Sequence, residues 1–116
     1  MIYLNEKTFA ISASARQDDP EFFEVDDLLA LPVQTLNIKG YRTHVCCEGH
    51  FFSPPELLRL HILFDSEVDL PWDLPEGFEY KDCALMYMYR NTENLYAFSA
   101  EKVSVCERLY DWIKTL

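Results

Sequence analysis

Hydrophobic and polar positions alternate with two different periods along this chain, and the periods divide it into helices and strands. A period near 3.6 indicates a helix with one buried face, and a period of two indicates a strand. The first pattern predicts a helix over about residues 26–39, where Leu29, Val33 and Leu36 share a face, and a second helix over about 99–116.

Capping residues at the helix ends support both assignments. Asp26 or Asp27 can accept the free amide protons of the first turn, and Ser99 is a good N-cap for the second helix. Gly40 is a typical helix stop. Pro32 lies inside the first predicted helix and has no amide proton to donate to a helical hydrogen bond, so that helix either kinks at Pro32 or begins there.

After Gly40 the period changes to two, which predicts a strand with Val45 and Cys47 on one face and His44 and Cys46 on the other. Residues 65–82 are acidic and broken by prolines, and they predict an irregular loop. The segment 83–90 is apolar on both faces and predicts a central, covered strand. The predicted strands are 41–47, 57–64, 83–90, two short ones around 5–7 and one at 95–99.

Two main helices with a small sheet of four or five strands, antiparallel or mixed, predict an α+β fold. The chain has 116 residues, of which 49% are hydrophobic, so we expect a single domain over 1–116 with one core. No apolar run reaches the roughly 18 residues of a membrane span, and the start has no secretory signal. We therefore expect a cytoplasmic protein without membrane contact, with its four cysteines reduced.

The charge of the chain narrows the partners it could bind. Twenty acidic against ten basic residues give a formal net charge of −10, which repels phosphate backbones and disfavours direct nucleic-acid binding. The clustered acids form either a solvated surface that keeps the protein soluble or a face that docks on a protein partner. The candidate interaction residues are Asp18, Asp19, Glu21, Glu24, Asp26, Asp27, Asp69, Trp72, Asp73 and Glu76.

The stretch GYRTHVCCEGH, residues 40–50, concentrates the reactive side chains. Cysteine and histidine are the usual ligands of zinc, and the candidate ligands are Cys46, Cys47, His50, His44 and His61. Two other interpretations stay open. Cys47 and His50 could form a thiol nucleophile with its base, or Val45 and Cys47 could be core residues of a strand that ends in a turn at Gly49.

The order of these segments resembles a family of small uncharacterised proteins from phages, prophages and Gram-positive bacteria. The shared elements are LNIKGYRT, HVCCEGH, LHILF, LPEGF and a terminal LYDWIKTL helix, over residues 25–116. The signature of the family, Gly-aromatic-x-Thr…Cys-[Cys/Ser]-x-Gly-His, ends on Gly49 and His50, with its cysteine on Cys46 or Cys47. The resemblance implies a phage-like setting and a candidate site, but no reaction.

Two functions follow from the sequence as hypotheses. The first is a non-enzymatic accessory protein whose acidic surface engages a host or phage protein. The second is a small zinc-binding domain centred on CCEGH, with or without catalytic activity.

Overall fold

The computed structural model describes residues 2–16, 18–52, 54, 58–66 and 68–116, and within them it confirms the α+β class. Leu57, which was predicted to begin a strand, lies outside the described residues. No helix in these ranges is both long and apolar enough to cross a membrane. The elements in chain order are β1 Ile2–Asn5, β2 Ile11–Ser12, β3 Phe22–Val25, a 3₁₀ turn Asp27–Leu29, α1 Ala30–Ile38, β4 Thr43–Cys47, β5 Arg59–Phe64, β6 Phe78–Lys81, β7 Ala84–Met88 and α2 Leu95–Ile113.

The strands form two antiparallel sheets rather than one sheet of four or five strands. The larger sheet has the order β4-β5-β7-β6, and the smaller sheet has the order β2-β1-β3. The two short strands near the amino terminus were predicted, whereas β3 lies in the stretch that was interpreted only as acidic surface. Every pairing among the described strands is antiparallel, so the mixed alternative does not apply.

One buried cluster joins both helices to both sheets. Alternate residues of β5 enter it, because Leu60, Ile62 and Phe64 are buried while their neighbours are half-buried. The side chains of this cluster that are fully excluded from solvent are Leu4, Leu29, Val33, Leu36, Leu60, Ile62, Leu85, Leu109 and Ile113.

Residues near the ends of both helices help to determine where each helix begins or stops. Pro32 lies in the first turn of α1, where its missing amide proton costs no hydrogen bond, and Gly40 follows the helix with φ +95°. The second helix begins at Leu95 rather than near 99, because Asn94 caps it by accepting the Ala97 amide at 3.0 Å. Residues 95–99, predicted as a strand, therefore form the first turn of α2.

A bulge in β4 corrects the predicted faces of that strand. The pairing shifts between Thr43, which lies opposite Phe64, and Val45, which lies opposite Leu63. One extra residue reverses the inward and outward positions that follow it. Val45 is therefore 47% exposed instead of buried, and it is Cys46 that packs against the core.

The region around the predicted loop 65–82 contains one strand that the sequence pattern did not indicate. β6 pairs with β7 through a two-residue turn, Asp82 and Cys83, in which both residues have positive φ. β7 is an inner strand of its sheet, but its outer face is open, since Met88 is 55% exposed. The prediction that this strand is covered on both faces was wrong.

Candidate metal centre

The candidate site begins where β4 ends. Cys47 lies opposite His61 of β5 on the open face of the sheet, because the bulge has turned it away from the core. Gly49 then reverses the chain with φ +91°. A Cβ atom at Gly49 would lie 2.6 Å from Cε2 of Tyr89 and 3.2 Å from the carbonyl oxygen of Arg59, so glycine alone fits this position without a shift of its neighbours. The reversal carries His50 back toward the end of the strand.

The third component, Asp26, comes from the residue before the 3₁₀ turn. Its Oδ2 accepts the amide proton of Glu48 at 2.8 Å and lies 3.5 Å from Nε2 of His50. Asp26, Cys47 and His50 each offer one ligand atom, and these three atoms all lie within 4.8 Å of one another. The side chain of His50 is 57% exposed and that of Asp26 is 25% exposed, so the group opens to solvent on the histidine side.

The buried ion pair of Glu48 with Lys102 stabilises the loop that carries Cys47 and His50. The Glu48 carboxylate accepts the Leu28 amide at 3.0 Å and bonds Nζ of Lys102 at 3.1 Å. Lys102 also donates to the carbonyl oxygen of Gly49 at 3.2 Å, and the Tyr89 hydroxyl donates to the carbonyl oxygen of Glu48. Contacts from the 3₁₀ turn, the end of β7 and α2 thus fix both the side chain and the backbone of this loop.

The electrostatics of the site disfavour an unassisted thiolate. Burial raises the pKa of Cys47, and the carboxylate of Asp26 raises it further against the opposing effect of the Gly49 amide. Burial, with a further contribution from Asp26, raises the pKa of Cys46 to about 12. Both thiols therefore stay protonated near neutral pH unless a cation compensates the negative charge, which weakens the interpretation of Cys47 as a free nucleophile.

His61 borders the group without belonging to it. Burial and the nearby Arg59 lower its pKa, so its imidazole is neutral near neutral pH. Its Nδ1 is buried and has no hydrogen-bond partner in the described part of the chain. His61 thus presents a neutral imidazole with an unpartnered ring nitrogen opposite Cys47 on the neighbouring strand, outside the group of three ligand atoms.

The other candidate ligands lie apart from this group. Cys46 points to the core face beside Ile62, and His44 is exposed and 3.7 Å from Asp65. Asp26 had been predicted as part of an acidic interaction surface and not as a ligand. Its place beside Cys47 depends on a contact across 21 residues that no local pattern encodes. The predicted capping bond is not formed by Asp26, whose carboxylate accepts the Glu48 amide and no amide proton of the following turn.

The candidate interaction residues are mostly solvent-facing. Asp19 and Asp26 are half-buried, and Asp19 accepts the Glu21 amide at 3.1 Å. Trp72 is 94% exposed, whereas Leu70 and Leu74 on either side of it pack against the core, so the loop is anchored by its leucines and not by its tryptophan. The exposed candidates are Asp18, Glu21, Glu24, Asp27, Asp69, Trp72, Asp73 and Glu76.

No family model, curated protein or solved structure gives a significant match to this chain. The resemblance to phage and Gram-positive proteins thus stays a prediction, and the case for a function rests on the geometry of the site.

Proposed function

We propose that this chain is a small metal-binding domain that holds a zinc-type divalent cation on the carboxylate of Asp26, the thiolate of Cys47 and the imidazole of His50. The observation that supports this proposal is the convergence of three different ligand types, from two distant parts of the sequence, within 4.8 Å of one another. A solvated acidic surface does not require a cysteine and a histidine at the same point.

The chemistry of the ligand set favours zinc over the alkaline-earth cations. Calcium and magnesium select oxygen ligands, whereas a thiolate and an imidazole together suit zinc and its first-row neighbours. Zinc in proteins is usually tetrahedral, so three protein ligands leave one position for water or a further side chain. The exposed side of His50 gives that position access to solvent, and His61 lies on the neighbouring strand.

The contacts around the ligands support a pre-formed site. The Glu48 amide orients the Asp26 carboxylate, and the buried pair of Glu48 with Lys102 holds the loop between Cys47 and His50. Partners of this kind orient metal ligands and typically contribute about tenfold to 100-fold in affinity. A bound cation would also compensate the negative charge that Asp26 places beside the Cys47 sulfur.

The test is metal content and ligand identity. Protein purified without added metal, then equilibrated with zinc and desalted, should retain about one zinc per chain by mass spectrometry. Replacement of zinc by Co²⁺ should produce the absorption bands of a thiolate-bound tetrahedral cobalt ion. The variants Cys47→Ser, His50→Ala and Asp26→Asn should each lose the metal or weaken its binding by more than about tenfold.

His44→Ala is the matched control. His44 lies on β4 with Cys47 and pairs with Asp65 as His50 pairs with Asp26, but it is not one of the three proposed ligands. It should retain the metal. Failure of the wild-type chain to bind zinc at micromolar concentration, or equal losses in His44→Ala and His50→Ala, would contradict the proposal.

A further inference from the structure

A groove next to the candidate metal centre is lined by the 3₁₀ turn before α1, the first turn of α1 and the middle of α2. We name it the interhelical groove. Its volume is about 220 Å³. Its floor is apolar and its rim carries two acids, and the lining residues are Asp27, Leu28, Leu31, Pro32, Val103, Cys106, Glu107 and Tyr110.

The groove exposes apolar side chains that a closed helix pair would bury. Leu31 is 47% exposed and Val103 is 42% exposed, while Pro32 and Cys106 between them are buried. Two exposed apolar side chains beside buried neighbours give one inserted apolar side chain a surface to pack against. Pockets for drug-sized ligands measure roughly 300–1,000 Å³, so a groove of about 220 Å³ fits one or two protein side chains better than a whole metabolite.

The charges at the rim of the groove indicate which sign of charge a partner should carry. Neither Asp27 nor Glu107 has a salt-bridge partner among the residues the structure describes. The cations on the adjoining parts of α2 are engaged elsewhere: Lys102 with Glu48, Lys114 with Asp111, and Arg108 with the carbonyl oxygen of Glu76. The unpaired charge at the rim is therefore negative, on a chain whose net charge is −10.

We propose that the interhelical groove docks a basic segment of a protein partner. One large apolar side chain of that segment inserts between Leu31 and Val103, and flanking lysine or arginine side chains pair with Asp27 and Glu107. The apolar contact supplies affinity, and the charges supply orientation and the rate of association. None of the groove residues is itself a proposed ligand of the metal, although Asp27 follows the ligand Asp26 and the Leu28 amide donates to Glu48.

The experiment selects the partner chemistry without presupposing a sequence. A displayed library of random dodecapeptides is panned on the purified full-length chain, and the enriched peptides are measured by fluorescence anisotropy. The enriched peptides should share an apolar residue flanked by lysine or arginine, and their binding should weaken as salt rises. The double variant Leu31→Ala/Val103→Ala should bind them about tenfold more weakly, and Asp27→Asn/Glu107→Gln should reduce the salt dependence.

Two controls separate the groove from other surfaces. Met88→Ala removes an apolar side chain of similar exposure on the open face of the sheet, and it should leave peptide binding unchanged. His50→Ala should also leave it unchanged while it abolishes zinc binding, which distinguishes failure of this inference from failure of the metal proposal. Thermal unfolding confirms that each variant is folded. Absence of any enriched peptide, enrichment of peptides without basic residues, or equal loss in Met88→Ala and the groove variants would overturn the inference.

Discussion

At the scale of single residues, Gly49 has the strictest requirement in the candidate site. It combines a positive φ with close packing, whereas Gly40 has a similar φ of +95° and open space on the side where a Cβ would lie. The backbone cost of a side chain is the same at both positions, and only Gly49 adds a steric one. The comparison of these two glycines therefore isolates the packing of the loop against Tyr89.

Gly49→Ala should destabilise the fold more than Gly40→Ala. A side chain at positive φ costs about 1 kcal/mol at either position, and the contact with the Tyr89 ring should add a further 1–3 kcal/mol, about the cost of overpacking. Chemical denaturation of both variants measures the difference. Gly49→Ala should also bind zinc more weakly, because the clash with the Tyr89 ring and the Arg59 carbonyl oxygen should displace the loop that carries His50. Equal losses of stability would show that the loop is not tightly packed.

Cys83 also adopts a backbone conformation that its side chain disfavours. It is the second residue of the turn between β6 and β7, with φ +65°, after Asp82 with φ +52°. Positive φ at both central residues is the geometry of a type I′ hairpin, which favours Asp-Gly or Asn-Gly.

Cys83→Gly should therefore stabilise the protein by about 0.5–1 kcal/mol, by removing the cost of positive φ for a residue with a Cβ. Cys83→Ser, which keeps the Cβ, is the matched control and should change the free energy of unfolding by less than about half of that. A loss of stability in Cys83→Gly, measured by denaturant unfolding, would show that the thiol makes a contact worth more than the strain.

At the scale of elements, the sequence predicted the helices whose positions follow from local patterns of apolar and capping residues. The apolar period of α1, its proline in the first turn and Gly40 after its end indicate this helix, although it begins at Ala30, after a 3₁₀ turn, and not near residue 26. The start of α2 was wrong because Asn94 and Ser99 are both competent caps, and the residues between them include aromatics with a preference for strands. Phe98 turns inward as a buried residue of the helix, so tertiary packing decides between the two caps.

The elements that the sequence did not predict are those whose signals are non-local. The bulge in β4 follows from pairing with β5, and it reverses the face of Cys47 without any mark in the sequence. β6 was not predicted because the turn that follows it lacks glycine and the strand is only four residues long. For the same reason, Cys47 and His50 could be proposed together, but Asp26 could not be added to them without the fold.

The joint between β7 and α2 depends on one carboxylate. Glu101 accepts the Tyr87 hydroxyl at 2.7 Å, the Arg90 amide at 3.0 Å and the Asn91 amide at 2.9 Å. Burial alone would raise the pKa of Glu101, but these donors outweigh burial and lower it below the ordinary 4.5. A carboxylate with a lowered folded-state pKa stabilises the fold above its unfolded-state pKa, and that stabilisation is lost as the pH falls through the folded-state value.

Glu101→Gln should reduce the free energy of unfolding at pH 7 by about 1–2 kcal/mol, because the amide group presents a donor where the chain already supplies donors. The difference from wild type should shrink as the pH falls below 4.5, where the carboxyl of the unfolded chain is protonated. Denaturant unfolding measured from about pH 3 to 7, a range that brackets the ordinary pKa of 4.5, tests this. Glu93→Gln, an exposed glutamate between β7 and α2, is the control. A pH-independent difference would show that ionisation of Glu101 is not its cause.

At the scale of the whole molecule, one buried ion pair connects the candidate metal centre to the rest of the fold. Glu48 and Lys102 are 54 residues apart, and their side chains are only 12% and 15% exposed. Removing one partner of a buried pair leaves an uncompensated charge, whereas replacing both by apolar residues is often close to neutral. The pair therefore allows stability and site geometry to be separated by experiment.

Lys102→Met should lower the free energy of unfolding by about 3 kcal/mol, since it leaves the Glu48 carboxylate buried without its cation. Lys114→Met breaks an exposed pair with Asp111 on the same helix, where side chains are 52% and 74% exposed, and should cost less than about 1 kcal/mol. The double variant Glu48→Leu/Lys102→Met should recover most of the stability. It should not recover zinc affinity, because the Lys102 bond to the Gly49 carbonyl and the Glu48 bond to the Leu28 amide both stay absent, and these two bonds fix the loop beside His50. Full recovery of zinc binding together with stability would show that the ion pair supports the fold alone and does not orient the ligands.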